Sequence, residues 1–195
     1  LVDNLVSVES FAQELRLAGT SNAIDWVIGG FYTDSEESQD FDLELYIGGA
    51  FLGGLQDFKT IGTSESTAIF GNLTYHLNDQ LTLSLGARSF EDDRTFAIPS
   101  FAISTGGTFD NVSLKGSISY APTENSNLYL SISEGFRSGG FNVFGGEDYD
   151  PESMISYEVG TKTTLLDGRL NAEAAIYHSQ YQDYQSNVLV TPSGT

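Results

Sequence analysis

Glu134-Gly-Phe-Arg-Ser-Gly-Gly-Phe-Asn142, with Tyr149-Asp-Pro-Glu152 and Ser156-Tyr-Glu-Val-Gly-Thr-Lys162 after it, decides how the rest of the chain reads. The stretch runs as a strand end, a glycine-rich surface loop and the start of the next strand. Gly139 and Gly140 supply permissive φ for the loop. Pro151 fixes φ as the chain returns. Outward from this point the same order repeats in both directions: strand, short turn, strand, long loop.

Eight strands are expected. They fall at about Val6–Leu17, Ala23–Asp34, Ser66–Leu77, Leu81–Phe90, Phe109–Ala121, Asn127–Arg137, Ser153–Leu166 and Arg169–Gln180. Val188-Leu-Val-Thr191 has the composition to open a ninth. The short turns are Gly19-Thr-Ser-Asn22, Asn78-Asp-Gln80, Pro122-Thr-Glu-Asn125 and Asp167-Gly168. Asp-Gly is a strong hairpin signal, because a type I′ turn needs positive φ at both central residues. The long connections are Ser35–Ser64, Glu91–Thr108 and Ser138–Glu152. Strands of roughly ten to fourteen residues exceed the five or six usual in soluble sheets and suit a tilted membrane crossing. Short turns alternating with long loops complete the expectation. The fold class is all-β, an antiparallel transmembrane β-barrel fragment of about eight strands with short periplasmic turns and long extracellular loops.

Composition agrees. The 195 residues include 21 Gly, 4 Pro, 13 Phe, 10 Tyr and no Cys, which favours strands joined by turns and excludes disulfides and thiolate metal sites. No run of apolar residues is long enough for a transmembrane helix. A net charge of −19 argues against a nucleic-acid partner, which needs clustered Lys and Arg. No secretory leader opens the chain, which begins within a patterned stretch and stops at Thr195 without a finishing element. A piece of a longer protein is therefore expected.

The alternation assigns faces. Leu81, Leu83, Leu85 and Ala87 oppose Thr82, Ser84, Gly86 and Arg88; Leu114, Gly116, Ile118 and Tyr120 oppose Ser113, Lys115, Ser117 and Ser119. Leu170, Ala172, Ala174 and Ile176 oppose Arg169, Asn171, Glu173 and Tyr177. Arg16, Arg88, Lys115, Arg137, Lys162 and Arg169 fall on the polar faces, and Lys59 and Arg94 fall in loops. Glu36, Glu37, Asp40, Asp42, Glu44, Asp57, Glu65, Glu91, Asp92, Asp93, Glu147, Asp148, Asp150 and Glu152 sit in or beside the long loops. A cationic-leaning inner wall and an acidic rim are predicted. Trp26, Tyr75, Tyr120 and Tyr129 lie near the short turns and suit an interfacial aromatic girdle. A soluble antiparallel sandwich also alternates apolar and polar residues, so that reading stays open at this stage.

With Phe11-Ala-Gln-Glu-Leu-Arg-Leu17, Gly29-Gly-Phe-Tyr32, Ala68-Ile-Phe-Gly-Asn-Leu-Thr-Tyr75, Leu83-Ser-Leu-Gly-Ala-Arg88, Leu128-Tyr-Leu-Ser-Ile-Ser133, Gly168-Arg-Leu170 and Tyr181–Gln185 added to the opening stretch, the chain resembles the β-barrel domain of a TonB-dependent outer-membrane receptor. The resemblance covers about Phe11 to Gln185. It implies a 22-stranded barrel closed by an N-terminal plug, with residues 1–195 forming part of the barrel domain, and the plug and remaining strands lying outside the chain. It also implies a Gram-negative outer membrane, contact with membrane lipid, and energy from the TonB complex delivered through the plug. The cargo it implies is a scarce ligand, most often a ferric siderophore and otherwise cobalamin, haem or glycans. A small self-contained eight-stranded barrel, serving as a pore or in adhesion, is the alternative.

On that resemblance Arg88, Arg137, Phe141, Asn142 and Tyr149 are the candidate ligand-binding residues. Arg137 leads, since its donor fork suits the carboxylates, catecholates or phosphate-like groups of anionic chelates; its competing role is an ion pair with Glu134, Glu158 or a plug residue. Glu14, Arg16, Lys115, Glu158, Lys162, Arg169 and Glu173 are the expected lumen-facing charges, with Glu158 paired to Lys162 or a neighbouring strand. No nucleophile elbow, phosphate loop or Ser/His/Asp constellation is present, so no catalysis and no cofactor are expected. His76 and His178 lack metal-ligand spacing, and Glu91-Asp-Asp93 lacks the spaced ligands and Gly of a calcium loop, which leaves a solvated acidic loop.

Overall fold

The computed structural model describes residues 2–47, 50–142 and 147–186. Eight strands follow in order: β1 (Val2–Ser21), β2 (Ile24–Ile47), β3 (Ala50–His76), β4 (Leu81–Ile98), β5 (Ile103–Thr123), β6 (Ser126–Arg137), β7 (Glu152–Leu165) and β8 (Leu170–Gln182). They form one antiparallel sheet in which every strand pairs with its neighbours in sequence, and β1 and β8 are its edges. The segment 188–191, expected to open a ninth strand, lies outside the described residues.

The short turns lie close to their expected places, but the first is narrowed to Asn22-Ala23, with Gly19, Thr20 and Ser21 paired in β1, and the third to Glu124-Asn125. Asn78 Oδ1 accepts the N–H groups of Gln80 and Leu81, both at 2.9 Å, so a side chain closes the β3–β4 turn. Asp167 and Gly168 have φ of 54° and 85°, and the Arg169 N–H donates to the Leu166 carbonyl at 3.2 Å, which is the expected type I′ geometry.

The expected long loops 35–64 and 91–108 are instead strand. β2 and β3 stay paired to Ile47↔Ala50, and β4 and β5 to Ile98↔Ile103, around a single 3₁₀ turn at Pro99–Phe101. Beyond Asp34 the hydropathy contrast between faces fades, but the backbone hydrogen bonds continue. From Asp34 to Ile47, at about 3.3 Å per residue, the β2–β3 hairpin reaches roughly 40 Å past the apolar zone. Its register slips between Leu43 and Glu44 and between Leu45 and Tyr46, where Gly53 takes φ of 145°, a conformation open to glycine. Lys59 and Arg94 thus lie on strands rather than loops, and so do most of the acids expected in the loops.

Cross-strand partners share a face, so the register settles what points where. One row runs Gly19–Trp26–Leu73–Leu85–Gly116–Ile132–Tyr157–His178, apolar over most of its length. The neighbouring row on the opposite face runs Ala18–Val27–Asn72–Gly86–Lys115–Ser133–Ser156–Ser179. The apolar face is unburied by any protein layer: Ile69, Leu85 and Ile176 are 75%, 65% and 77% exposed. Among the described residues only Ala68 and Ile98 are buried hydrophobic side chains. A sandwich would bury one face of each sheet. A single sheet with an exposed apolar face instead requires lipid as the second layer.

Trp26, Tyr75 and Tyr120 lie on the apolar face, whereas Tyr129 lies on the polar one, in register with Ser119 and Gly160. Its hydroxyl donates to Glu158 at 2.7 Å, and its ring fills the space above Gly160, where a Cβ would stand 2.5 Å from the phenol oxygen. The girdle therefore has three of its four expected members.

The sheet also divides. β5–β6 pairing stops at Lys115↔Ser133, while β4–β5 and β6–β7 continue outward. At the fork the Leu114 N–H donates to the Glu134 carboxylate at 2.8 Å, so a side chain replaces the lost ladder bond.

Two outcomes are expected. Leu83→Arg and Ile118→Arg, on the lipid side, each cost about 2–4 kcal/mol near the midplane, while Ser117→Arg on the polar side costs much less, measured by denaturant unfolding in bilayers; equal losses at the three sites would refute the facing. Gly160→Leu collides with the Tyr129 ring and costs about 1–3 kcal/mol, of which Tyr129→Ala in the same chain recovers part.

Candidate functional site

The polar face is organised along β4, whose inward residues are Arg88, Phe90, Asp92, Arg94 and Phe96. The strand holds its register without a break from Leu81 to Ile98, so these side chains form one column up the wall. Arg88 lies over the Phe90 ring at 4.9 Å, a cation–π contact. With Lys115, Ser133 and Gly135 it lines a groove of about 550 Å³ at the fork between β5 and β6. Among the described residues neither Arg88 nor Lys115 forms an ion pair.

After β6 the chain turns inward across this column. Asp92, only 5% exposed, accepts from Ser64 Oγ on one oxygen and from Ser138 Oγ on the other, each at 2.6 Å. Arg94 Nε stands 3.7 Å from the same carboxylate, and its Nη1 donates to the Gly139 carbonyl at 2.8 Å. A buried carboxylate is costly unless its oxygens are satisfied, and here they are. Gly140 and Tyr149 exchange two backbone hydrogen bonds of 3.0 Å, which makes the outgoing and returning segments a two-stranded strap. Glycine is required at 139, since a Cβ there would collide with the Tyr149 carbonyl and the Phe109 ring. Gln185 Nε2 ties the far side of the strap, donating to the Ser138 and Asp150 carbonyls, both at 3.0 Å.

The strap brings together some of the expected residues. Phe141 packs against Phe109 with ring centres 6.2 Å apart. With Tyr149, Arg94, Phe96 and Phe41 it lines a cavity of about 430 Å³ beneath the paired hairpins. Arg137, Asn142 and Tyr149 meet in a second cavity of about 680 Å³ on the outer side of the strap, in company with Asp148, Asp150 and Asp183. Arg137 is thus set among carboxylates. Among the described residues it pairs with neither Glu134, which lies on the other face of β6 and accepts the Leu114 N–H, nor Glu158, which accepts from Tyr129. Its cross-strand neighbour is Glu152. Asn142 spends its amide inside the strap, donating to the Glu147 carbonyl, while its N–H donates to Asp148.

The remaining wall charges are distributed in pairs. Glu14 bonds Arg16, whose guanidinium lies 5.7 Å from the Phe70 ring centre, and Lys162 stands 3.8 Å from Glu173. Arg169 is not on the wall; it lies in the β7–β8 turn, with Nε donating to the Leu166 carbonyl at 3.1 Å. His76 bridges Asp25 at 2.8 Å and Thr82 at 3.2 Å. The inner wall is mixed rather than cationic-leaning, since Glu14, Asp92, Glu152, Glu158 and Glu173 share it with the bases. The acids concentrate on the opposite face above the apolar zone, where the register aligns Glu9, Glu36, Thr63 and Thr95 in one row and Asp34, Glu65 and Asp93 in the next.

Asp92 and Arg94 were not among the expected site residues, because Glu91-Asp-Asp-Arg94 looks like a solvated acidic loop. A signal was present: no Gly or Pro interrupts Ala87–Ile98, and Phe90 and Phe96 bracket the charges at even spacing. In a strand, Glu91 and Asp93 face away from Asp92, so the apparent cluster is divided between two faces.

Comparison with known proteins agrees with this architecture. The family model "TonB dependent receptor-like, beta-barrel" matches residues 4–195. A probable TonB-dependent siderophore receptor, PiuA, from Acinetobacter baumannii is 30% identical over 135 residues, covering 62% of this chain and 18% of that protein. The pesticin receptor of Yersinia enterocolitica is 26% identical over 196 residues, covering 89% of this chain and 27% of that protein. Among solved structures, the ferric yersiniabactin uptake receptor FyuA from Yersinia pestis superposes with a TM-score of 0.78 at 21% identity, covering 94% of this chain and 30% of that one. The chain therefore spans less than a third of these proteins' length. With the family model matched along almost its whole length, it belongs to the TonB-dependent receptor β-barrel family.

Proposed function

We propose that this chain forms part of the wall of an outer-membrane receptor that takes up a ferric siderophore, with energy supplied by the TonB complex through a plug that occupies the barrel. The outer membrane is the location that the family match and the exposed apolar face both require. One observation carries the ligand class: Arg88 and Lys115 share a groove of about 550 Å³, in which neither is ion-paired among the described residues and the one lining carboxylate, Glu134, accepts the Leu114 N–H. Two available cations beside an aromatic ring suit a bulky anionic metal chelate. The cavity at Phe141 and Tyr149, with Arg94, supplies the outer contacts, and Arg137 and Asn142 contribute from the separate cavity that also includes Tyr149. Relatives support a metal-chelate cargo: FyuA is described as a ferric yersiniabactin uptake receptor and PiuA as a siderophore receptor. A structural neighbour at TM-score 0.68 is described as a copper transporter, so the metal is part of the test. A self-contained eight-stranded barrel is disfavoured, because β1 and β8 remain unpaired edges of an open sheet among the described residues. The function proposed is transport, with no covalent chemistry.

The test is accumulation of radioactive iron by cells with and without the gene, the iron supplied as catecholate, hydroxamate or phenolate chelates. Uptake of one of these is expected to depend on both the gene and TonB. Combined Arg88→Ala and Lys115→Ala should raise the half-saturating concentration roughly tenfold or more, since a hydrogen bond to a charged group contributes about 1.5–3 kcal/mol, with the amount of receptor in the membrane unchanged. Gene-dependent uptake of copper but not iron would remove the siderophore and leave the receptor. Full uptake by the double variant would remove the groove from the route.

A further inference from the structure

We propose that Asp92 and Arg94 are positioning residues that latch the strap, residues 138–142 and 147–151, across the inner wall and thereby separate an outer chamber from an inner groove. The assignment rests on the receptor reading above for its purpose, but on geometry for its existence.

The column on β4 shows the division. Arg88 and Phe90 line the groove of about 550 Å³, and Arg94 and Phe96 line the cavity of about 430 Å³. Asp92 stands between them and lines neither. It is also where the strap touches down, through Ser138 Oγ at 2.6 Å, while Arg94 takes the next carbonyl at 2.8 Å. The strap contributes Gly140, Phe141 and Tyr149 to the outer cavity and nothing to the inner groove. A molecule held against Arg94, Phe96 and Phe141 reaches Arg88 and Lys115 along this wall only when Ser138 and Gly139 leave Asp92 and Arg94.

The latch is suited to opening. Ser64 remains bonded to Asp92 from the wall side, at 2.6 Å, and Arg94 stays beside it. Lifting the strap therefore replaces one bond to the carboxylate with water and strands no charge in an apolar site. Gly140 pairs with Tyr149, and Gln185 Nε2 bridges the Ser138 and Asp150 carbonyls, so the outgoing and returning limbs of the strap are joined to each other by bonds other than those to Asp92 and Arg94.

The experiment uses the intact gene product in the outer membrane of living cells. Ser66 is the cross-strand partner of Asp92, is 5% exposed and carries none of the latch bonds described above. The chain has no cysteine, so Ser66→Cys introduces a single thiol into this segment. A water-soluble maleimide added outside the cells reads how often the strap lifts. Ser104→Cys, on the exposed start of β5, reports display and assembly. Labelling of Ser66→Cys should be slow in the native background and at least tenfold faster with Asp92→Ala or Arg94→Gln, with Ser104→Cys unchanged. Ser138→Ala alters only the strap and leaves the wall intact, so it must also accelerate labelling; it decides the matter if either wall variant fails to assemble. Native-rate labelling with Ser138→Ala and with every wall variant that assembles overturns the latch. No ligand is needed, so a failed iron-uptake assay and a failed latch are separate results.

Discussion

Backbone hydrogen bonding inside lipid is the constraint on which this structure depends. With no water to satisfy an N–H or C=O in hydrocarbon, a chain that crosses with strands must keep each one paired along its crossing. The ladders of β3, β4 and β5 meet that demand without a slip, from His76 to Ile61 and from Leu81 to Ile98; where the β5–β6 ladder stops at Lys115↔Ser133, the Glu134 carboxylate takes the Leu114 N–H instead. Strict pairing imposes strict two-residue alternation, which sets the lipid face and the polar wall together. Gly19 under Trp26 and Gly160 under Tyr129 show how aromatic rings occupy the places where that pleated surface would otherwise be thin.

Where the lipid ends, the same backbone continues under a different rule. The β2–β3 and β4–β5 hairpins extend far past the apolar zone and keep their facing, with most carboxylates outward, and hydroxyl and aromatic groups inward beside Glu37 and Asp92. Phe41 and Phe58 stack at 4.8 Å on that inward side, and Phe101 lies 5.7 Å from Phe58. β6 and β7 end lower, so a gap opens at the fork, and Glu134 covers the exposed end of the ladder. The strap that follows β6 has room to fold inward because β5 and β6 have separated. The inward-folded surface at this level is therefore a consequence of unequal strand lengths.

Burial matters at one place above all. Most of the wall's polar groups remain open to water, and most surface ion pairs of this kind contribute little. Asp92 differs: it is enclosed, its two oxygens are shared between the wall and the strap, and its neighbour Arg94 reaches the strap backbone. A charge held in that way converts the position of a loop into a defined geometry.

The residues alone determined the class of fold, the number of strands within the described residues, the short turns and the lipid face. Each of these rests on short-range chemistry: period-two hydropathy, Asn78 and Asp167-Gly168 at turns, and glycines where φ or space demands them. Beyond Asp34 and Phe90 that signal faded, because outside lipid both faces of a strand are free to be polar while the backbone goes on pairing. Only the tertiary structure showed that 35–64 and 91–108 are hairpins, that Arg169 belongs to a turn, and that Tyr129 faces inward to Glu158. It alone brought Ser138 from the end of β6 to Asp92 on β4, 46 residues apart in the chain. No local pattern encodes such a meeting, since it depends on the register of two intervening ladders and on where one of them stops.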